Sequence, residues 1–320
     1  LKLLQAERRL NKRFYTISTL GLQYAEIILM RRLLLVNVTL ECIPCYIKQT
    51  INTLAQTENS EEKMREIIHE TLPLISRLDP QGTPAENSTI ILRKVNELLG
   101  IEDPFQRAKK ESNELALELL PQLKERIEQS PDPLFMSLKI AVAGNIIDMG
   151  ILKDFDVEGS IQEAMVKDFA RDDYVSFRER LKETQEILVL GDNSGEIAFD
   201  KLLAEQLSEL GIKVTYAVKD RPILNDATLE DAAYVGITEQ IRVISNGSGF
   251  LGTILKDCSE KFKQAYIKAD LVISKGQANY ESLEALGKED RRLYFLLRAK
   301  CEIVARNLEV ELGEMVFCRG

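Results

Sequence analysis

Residues 187–196 read I-L-V-L-G-D-N-S-G-E, and the chain changes character there. The aliphatic run is a short strand with no polar side, as a parallel sheet covered on both faces requires. Gly191 to Gly195 reads as a turn, and residues near 196–210 have helical spacing. Downstream, short β-rich runs alternate with helices. Strands are expected at K-V-T-Y-A-V (213–218), I-R-V-I (241–244), L-V-I-S (271–274), L-Y-F-L-L (293–297) and V-F-C (316–318). Helices are expected near 252–267, 279–287 and 299–308. Such alternation builds βαβ units and a mainly parallel sheet.

Upstream the rhythm is helical from Cys45 to about Leu181. Glu61–Leu78, Glu86–Leu99 and Pro104–Gln129 repeat apolar residues at three- and four-residue spacing. Asp103-Pro104 and Asp132-Pro133 each read as an N-cap followed by proline at the first helical position. Pro121 is expected to kink or split the third of these helices. Residues 134–149 are apolar nearly all round, which implies a buried helix. The charged run 171–185 joins the two halves. Three regions follow: a basic extension over 1–37, a helical domain over 38–184, and an α/β domain over 185–320.

The chain has 320 residues, 45% apolar and 29% charged, as an ordinary globular protein has. No apolar run approaches the ~20 residues that span a bilayer. A formal net charge of -9 disfavours nucleic acid and anionic lipid as general partners. Five cysteines, an odd and sparse set, point to a reducing, cytoplasmic location rather than a disulfide framework. With His69 as the one histidine, in a helical stretch, a His-rich zinc site and a Ser-His-Asp triad are improbable. The first 36 residues carry seven Lys or Arg against Glu7 and Glu26. The I-I-L-M run there is too short for a signal peptide, and Glu26 interrupts its flank. Met30-Arg31-Arg32 is a candidate alternative start, so residues 1–29 are expected to be dispensable for activity.

Ligands of an open parallel sheet bind beyond the carboxyl ends of its strands. Those tips read G-D-N-S-G-E (191–196), K-D-R-P-I-L-N-D (219–226), S-N-G-S-G (245–249), K-G-Q-A-N-Y-E (275–281) and R-A-K (298–300). Asp192, Asn193 and Asp226 offer oxygen donors suited to Mg²⁺, Mn²⁺ or a related divalent ion. Ser194 and Gly195 open the following helix, whose N–H groups favour an anion. Lys275 supplies a positive charge at a neighbouring tip. A divalent ion, a helix N-terminus and a lysine together describe a phosphoryl ligand. Arg221 is a further candidate, although an arginine before proline in a turn also reads as a surface residue. Asp192-Asn193 and Asn225-Asp226 have a second reading as helix caps. Two caps in tandem would be redundant at the first pair; at the second, spacing alone leaves both readings open.

Asn145 and Asp148 share a face of the apolar helix and either satisfy neighbouring backbone or finish the cleft. Cys42-Ile-Pro-Cys45 precedes a helix. It reads as structural or accessory, as half of a metal site, or as a redox pair. No second Cys-X-X-Cys exists, and the βαβ context of a thioredoxin-type pair is missing.

Five motifs in order, C-I-P-C-Y-I-K-Q, A-G-N-I-I-D, G-D-N-S-G-E, R-P-I-L-N-D and K-G-Q-A-N-Y-E, resemble the damage-control phosphatase family. The resemblance is strongest to its prokaryotic branch, which carries the N-terminal Cys-X-X-Cys, and runs from about residue 38 to the end. It implies a helical domain on a Rossmann-like α/β/α domain, and divalent-metal-dependent hydrolysis of small phosphometabolites such as sugar phosphates or damaged cofactor precursors. It also implies manganese, cobalt, nickel or magnesium as cofactor. By the same resemblance Asp192, Asn193 and Asp226 hold the metal and Lys275 and Asn279 lie near the phosphate. Glu196 and Glu281 fall in matching motifs without an assigned role. Whether water or Asp192 attacks phosphorus is open, with water favoured because Asp192 is expected to be a ligand. Two rivals remain: an S-adenosylmethionine-dependent carboxyl methyltransferase, disfavoured because Asp192-Asn193 stands where a glycine pair belongs, and a non-enzymatic metal- or nucleotide-binding module.

Overall fold

A computed structural model describes residues 36, 38–144 and 157–320. Helix α1 (Cys42–Ala55), α2 (Glu61–Ile75) and α3 (Pro84–Leu99) come first. They bury Tyr46, Leu54, Ile67, Ile91 and Val95 against one another in a cluster of their own. Each of the later two has a good start. Ser60 accepts the N–H of Lys63, and Thr83 forms a capping box with Glu86 ahead of Pro84.

Helix α4 (Gln106–Glu128), α5 (Pro133–Ala143), α6 (Val157–Val166) and, after the two-residue strand β1 (Arg171–Asp172), α7 (Tyr174–Leu181) cover one face of the sheet. Residues 38–184 thus supply both a separate apolar cluster and one layer over the sheet. Two expectations are corrected here. The Asp103-Pro104 helix starts two residues late, because Asp103 accepts the N–H of Phe105 in a turn and also pairs with Lys109. Helix α4 runs unbroken through Pro121. That proline is exposed while Ala116 and Leu123 are buried.

The sheet then unfolds in sequence: β2 (Glu186–Leu190), α8 (Glu196–Glu209), β3 (Lys213–Val218), α9 (Leu229–Tyr234), β4 (Arg242–Ser245), α10 (Glu260–Lys268), β5 (Leu271–Lys275), α11 (Gln277–Gly287), β6 (Leu293–Arg298), α12 (Glu302–Leu308) and β7 (Met315–Arg319). The order across the sheet is β1-β7-β6-β5-β2-β3-β4. All neighbours are parallel except β6 and β7. The side chains alternate as a doubly covered sheet demands. Ile187 and Val189 join the layer of α4 to α8, whereas Leu188 and Leu190 join that of α10 to α12. The mainly parallel α/β/α arrangement is as expected. The long helix expected at 252–267 is instead a short 3₁₀ turn at Leu255–Asp257 followed by α10, because Ser259 caps a fresh start by accepting the N–H of Phe262. No helix among the described residues is long and apolar enough to cross a membrane.

Strand β2 runs to β3 on one side, and after β4 the chain returns to its other side as β5. The connections after β2 and β5 therefore diverge to opposite faces and leave a crevice beyond their carboxyl ends, where such sheets bind ligands.

Candidate active site

Beyond that edge the 219–228 loop after β3 folds back onto the loop after β2. Ala227 donates to the carbonyl of Asp192 at 2.8 Å, and Ser194 donates to that of Asn225 at 2.8 Å. Between them Asn193 and Asp226 form an isolated antiparallel bridge. The structure thereby brings Asp192, Asn193 and Asp226 together, and all three line one cavity of about 570 Å³. Their side chains are nearly enclosed, with Asp192 5% and Asp226 2% exposed.

Two glycines make this approach possible. A Cβ on Gly191 would stand 2.6 Å from the ring of Tyr216. At Gly276, just past β5, φ is +78° and a Cβ would stand 1.8 Å from Oδ2 of Asp192. Backbone of the β5 tip is thus the wall against which the carboxylate rests.

The enclosed carboxylates crowd one another. Burial pushes the Asp192 carboxyl well above its ordinary range, and the charges of Glu196 and Asp226 push the same way. Lys300 and Lys219 oppose them. Lys219 lies 3.4 Å from Oδ2 of Asp226 and donates to the carbonyl of Gly252. Asn193 donates through Nδ2 to Glu196 at 2.8 Å, which leaves Oδ1 as its remaining acceptor. Burial likewise raises the Glu196 carboxyl, with Lys275 as the strongest opposing charge. Two aspartates and an amide oxygen could hold a hard divalent cation, and a cation there would relieve the repulsion. Among the described residues no three or more His, Cys, Asp or Glu side chains converge in a metal-holding arrangement.

Lys275 was expected to face a phosphate. The structure places it beneath the loop, fully enclosed, with its ammonium 2.6 Å from Asp200, 3.1 Å from Glu196 and 2.9 Å from the carbonyl of Ala141. Its three donors are engaged within the chain. Burial alone would lower its pKa, yet Asp200 and Glu196 outweigh that and raise it. Asn279 is a clip as well. It donates to the carbonyls of Gly191 and Lys275 and accepts from Thr253 Oγ1. Gly195 gives its N–H to the side chain of Asn113 at 2.7 Å. The hydroxyl of Ser194 is buried and has no hydrogen-bond partner among the described residues. Arg221 is exposed and does not line the cavity. Asn145 and Asp148 lie outside the described residues.

Glu281, Cys42 and Cys45 do line the cavity. Burial pushes the Glu281 carboxyl up to about 7, against the hydrogen bond it accepts from Gln277 at 2.9 Å. Sequence reading passed over Lys219, Asp200, Asn113, Lys300 and Cys301. Lys219 and Lys300 stood in quoted tips. Asp200 stood one helical turn after Glu196, a spacing that puts two acids on one face. Asn113, in mid-helix, carries no local signal.

The chain is similar to known proteins. The damage-control phosphatase ARMT1-like domain matches residues 38–316. A damage-control phosphatase of Archaeoglobus fulgidus is 32% identical over 86% of this chain and 96% of its own length. A damage-control phosphatase of Pyrococcus horikoshii is also 32% identical, over 89% and 98% respectively. The crystal structure of a DUF89 family protein from Pyrococcus horikoshii superposes with a TM-score of 0.80 at 31% identity, covering 88% of this chain and 99% of that one. With its motifs, its Rossmann-like sheet and these relatives in agreement, the chain belongs to the damage-control phosphatase ARMT1-like family and is a phosphatase.

Proposed function

We propose that this phosphatase hydrolyses small phosphorylated metabolites, sugar phosphates or damaged cofactor precursors, with a divalent metal held by Asp192, Asn193 and Asp226. What carries the reading is that these three line one cavity at the sheet's switch point, with both carboxylates buried. A divalent ion held there, manganese, cobalt, nickel or magnesium, supplies neutralising charge to phosphoryl oxygens and makes water more acidic.

The chain's own residues do the rest. Asp192 is fixed between the Gly276 backbone and the amide of Asn193. Glu196 orients that amide, and the Lys275 ammonium opposes the upward push of burial on the Glu196 and Asp200 carboxyls. Lys300 also lines the cavity, and its charge opposes the upward shift of Asp192 and Glu196. The cavity volume suits a metabolite of sugar-phosphate size. Asp192 has a holding role, so water is the attacking group in this reading. The acidic net charge disfavours nucleic acid and membrane as partners, and the sparse cysteines favour the cytoplasm.

Release of phosphate from p-nitrophenyl phosphate after chelation, with Mn²⁺, Co²⁺, Ni²⁺ or Mg²⁺ restored singly, tests this. Activity should return with a divalent ion and be lost in D192A and D226A. Full activity in the chelated enzyme or in either variant would refute it.

A further inference from the structure

One acid on the cavity wall has no part in the proposed metal site. Glu281, on α11, lines the cavity and is 8% exposed. Gln277, one turn earlier on the same helix, donates to its Oε1 at 2.9 Å. That amide is anchored in turn. Its own Oε1 accepts the N–H of Lys300 at 2.8 Å, and its Nε2 approaches the Cys301 sulfur at 3.5 Å. The Glu281 carboxyl is therefore held in one orientation. Its other oxygen, Oε2, has no hydrogen bond or ion pair among the described residues.

The scaffold treats its other enclosed acids differently. Glu196 and Asp200 share the Lys275 ammonium, and Asp231 pairs with Lys109. Glu281 has no such cation, although burying an unpaired carboxylate is costly. The rest of the wall does not supply one. Among the described residues that line the cavity, the acids are Asp192, Asp226, Glu281, Glu41 and Glu302, against Lys300. Glu41 pairs with Arg306 at 2.7 Å, and both it and Glu302 are exposed to water. A divalent ion on Asp192 and Asp226 would neutralise those two and leave Glu281 as the enclosed acid whose charge is unmatched. The two places are separated by the length of a small metabolite. Asp192 rests against Gly276, which caps α11, and Glu281 lies roughly 7.5 Å further along that helix at about 1.5 Å per residue.

We propose that Glu281 selects the substrate: the preferred phosphomonoester carries a protonated amine, which donates to the open Oε2 while the phosphate lies at Asp192, Asn193 and Asp226. This rests on the proposed function and names its substrate class, an amino sugar phosphate or another aminated ester of that size. A phosphate ester without a cation enters beside an unmatched carboxylate and is repelled by it. A hydroxyl can donate a hydrogen bond to Oε2 but leaves its charge unmatched. An ammonium answers both needs, in a charge-assisted bond. Burial pushes this carboxyl up to about 7, and an ammonium beside it favours the ionised form. Glu281 acts on which ester is held, not on the breaking bond.

Glucosamine 6-phosphate and glucose 6-phosphate differ at one carbon, by an ammonium in place of a hydroxyl. Their kcat/KM values are compared at neutral pH with Mn²⁺ in the full unmodified chain, E281Q and E281D, with p-nitrophenyl phosphate as a third ester. The unmodified chain should prefer the amine by about tenfold or more. E281Q keeps an acceptor for Gln277 but not the charge, and should bring the ratio close to unity, chiefly by raising KM for the amine. E281D keeps the charge and should retain a preference. Equal kcat/KM in the unmodified chain, a preference for the glucose ester, an amine preference that survives in E281Q, or an equal fall for both sugar esters would each overturn the proposal. Turnover of p-nitrophenyl phosphate but of neither sugar ester would overturn it too and leave the proposed function standing. Turnover of none of the three is failure of the proposed function itself, and this inference falls with it.

Discussion

Gly276 shows how a single residue positions the chemistry. Its φ of +78° and ψ of 167° lie in a region that costs other residues of order 1–3 kcal/mol. Space forbids a side chain there too, because Asp192 occupies it. The variant G276A should therefore lose both stability and divalent-ion affinity, and thermal unfolding with and without Mn²⁺ would show it as a lower Tm and a smaller metal-induced rise. Lys275 makes the opposite case, a charge that belongs to the scaffold. Removing it in K275M strands Glu196 and Asp200 in the interior, a loss of about 3–5 kcal/mol for a broken buried pair. Urea unfolding should reveal that loss. A variant of normal stability with only a raised KM would mean that Lys275 meets the substrate directly. Sequence reading put Lys275 at the correct strand tip yet pointed it at the phosphate. A tip residue can face the crevice or turn back under the loop, and here the two acids on α8 draw it back.

Among the elements, strands were the most legible. The run K-V-T-Y-A-V is β3 over the same residues, because both its faces are covered and its aliphatic pattern has one reading. Helix ends were less so. The cap at Asp132 declared itself, but the capping box at Thr83 went unread, Asp103 turned out to hold a turn with Phe105, and Ser259 capped a fresh helix. Helix α4 is tied to the active-site loop through Asn113, which accepts from Gly195 and donates to Asp231 at 2.9 Å. The variant N113A leaves that buried N–H and carboxylate without these partners, at roughly 1–3 kcal/mol. Its KM for p-nitrophenyl phosphate should rise and its metal affinity fall, while helix content by circular dichroism stays unchanged.

For the molecule as a whole, chain topology turns scattered motifs into one site. Asp192 and Asp226 are separated by a strand, a helix and a folded-back loop, yet hydrogen bonds between the two loops bring them to one cavity. The alternating rhythm after residue 186 announced the sheet, and the rule of strand ends pointed to the loops. Its strand order, and so the place of the switch point between β2 and β5, was not legible, since periodicity says nothing about which strands pair. Equilibrium dialysis of the purified chain against Mn²⁺, with D192N and D226N alongside, probes the site most directly. The expected outcome is one tightly bound ion in the unmodified protein and its loss in both variants, each retaining the circular dichroism of the parent. Binding of equal affinity and stoichiometry in all three would show that the metal sits elsewhere.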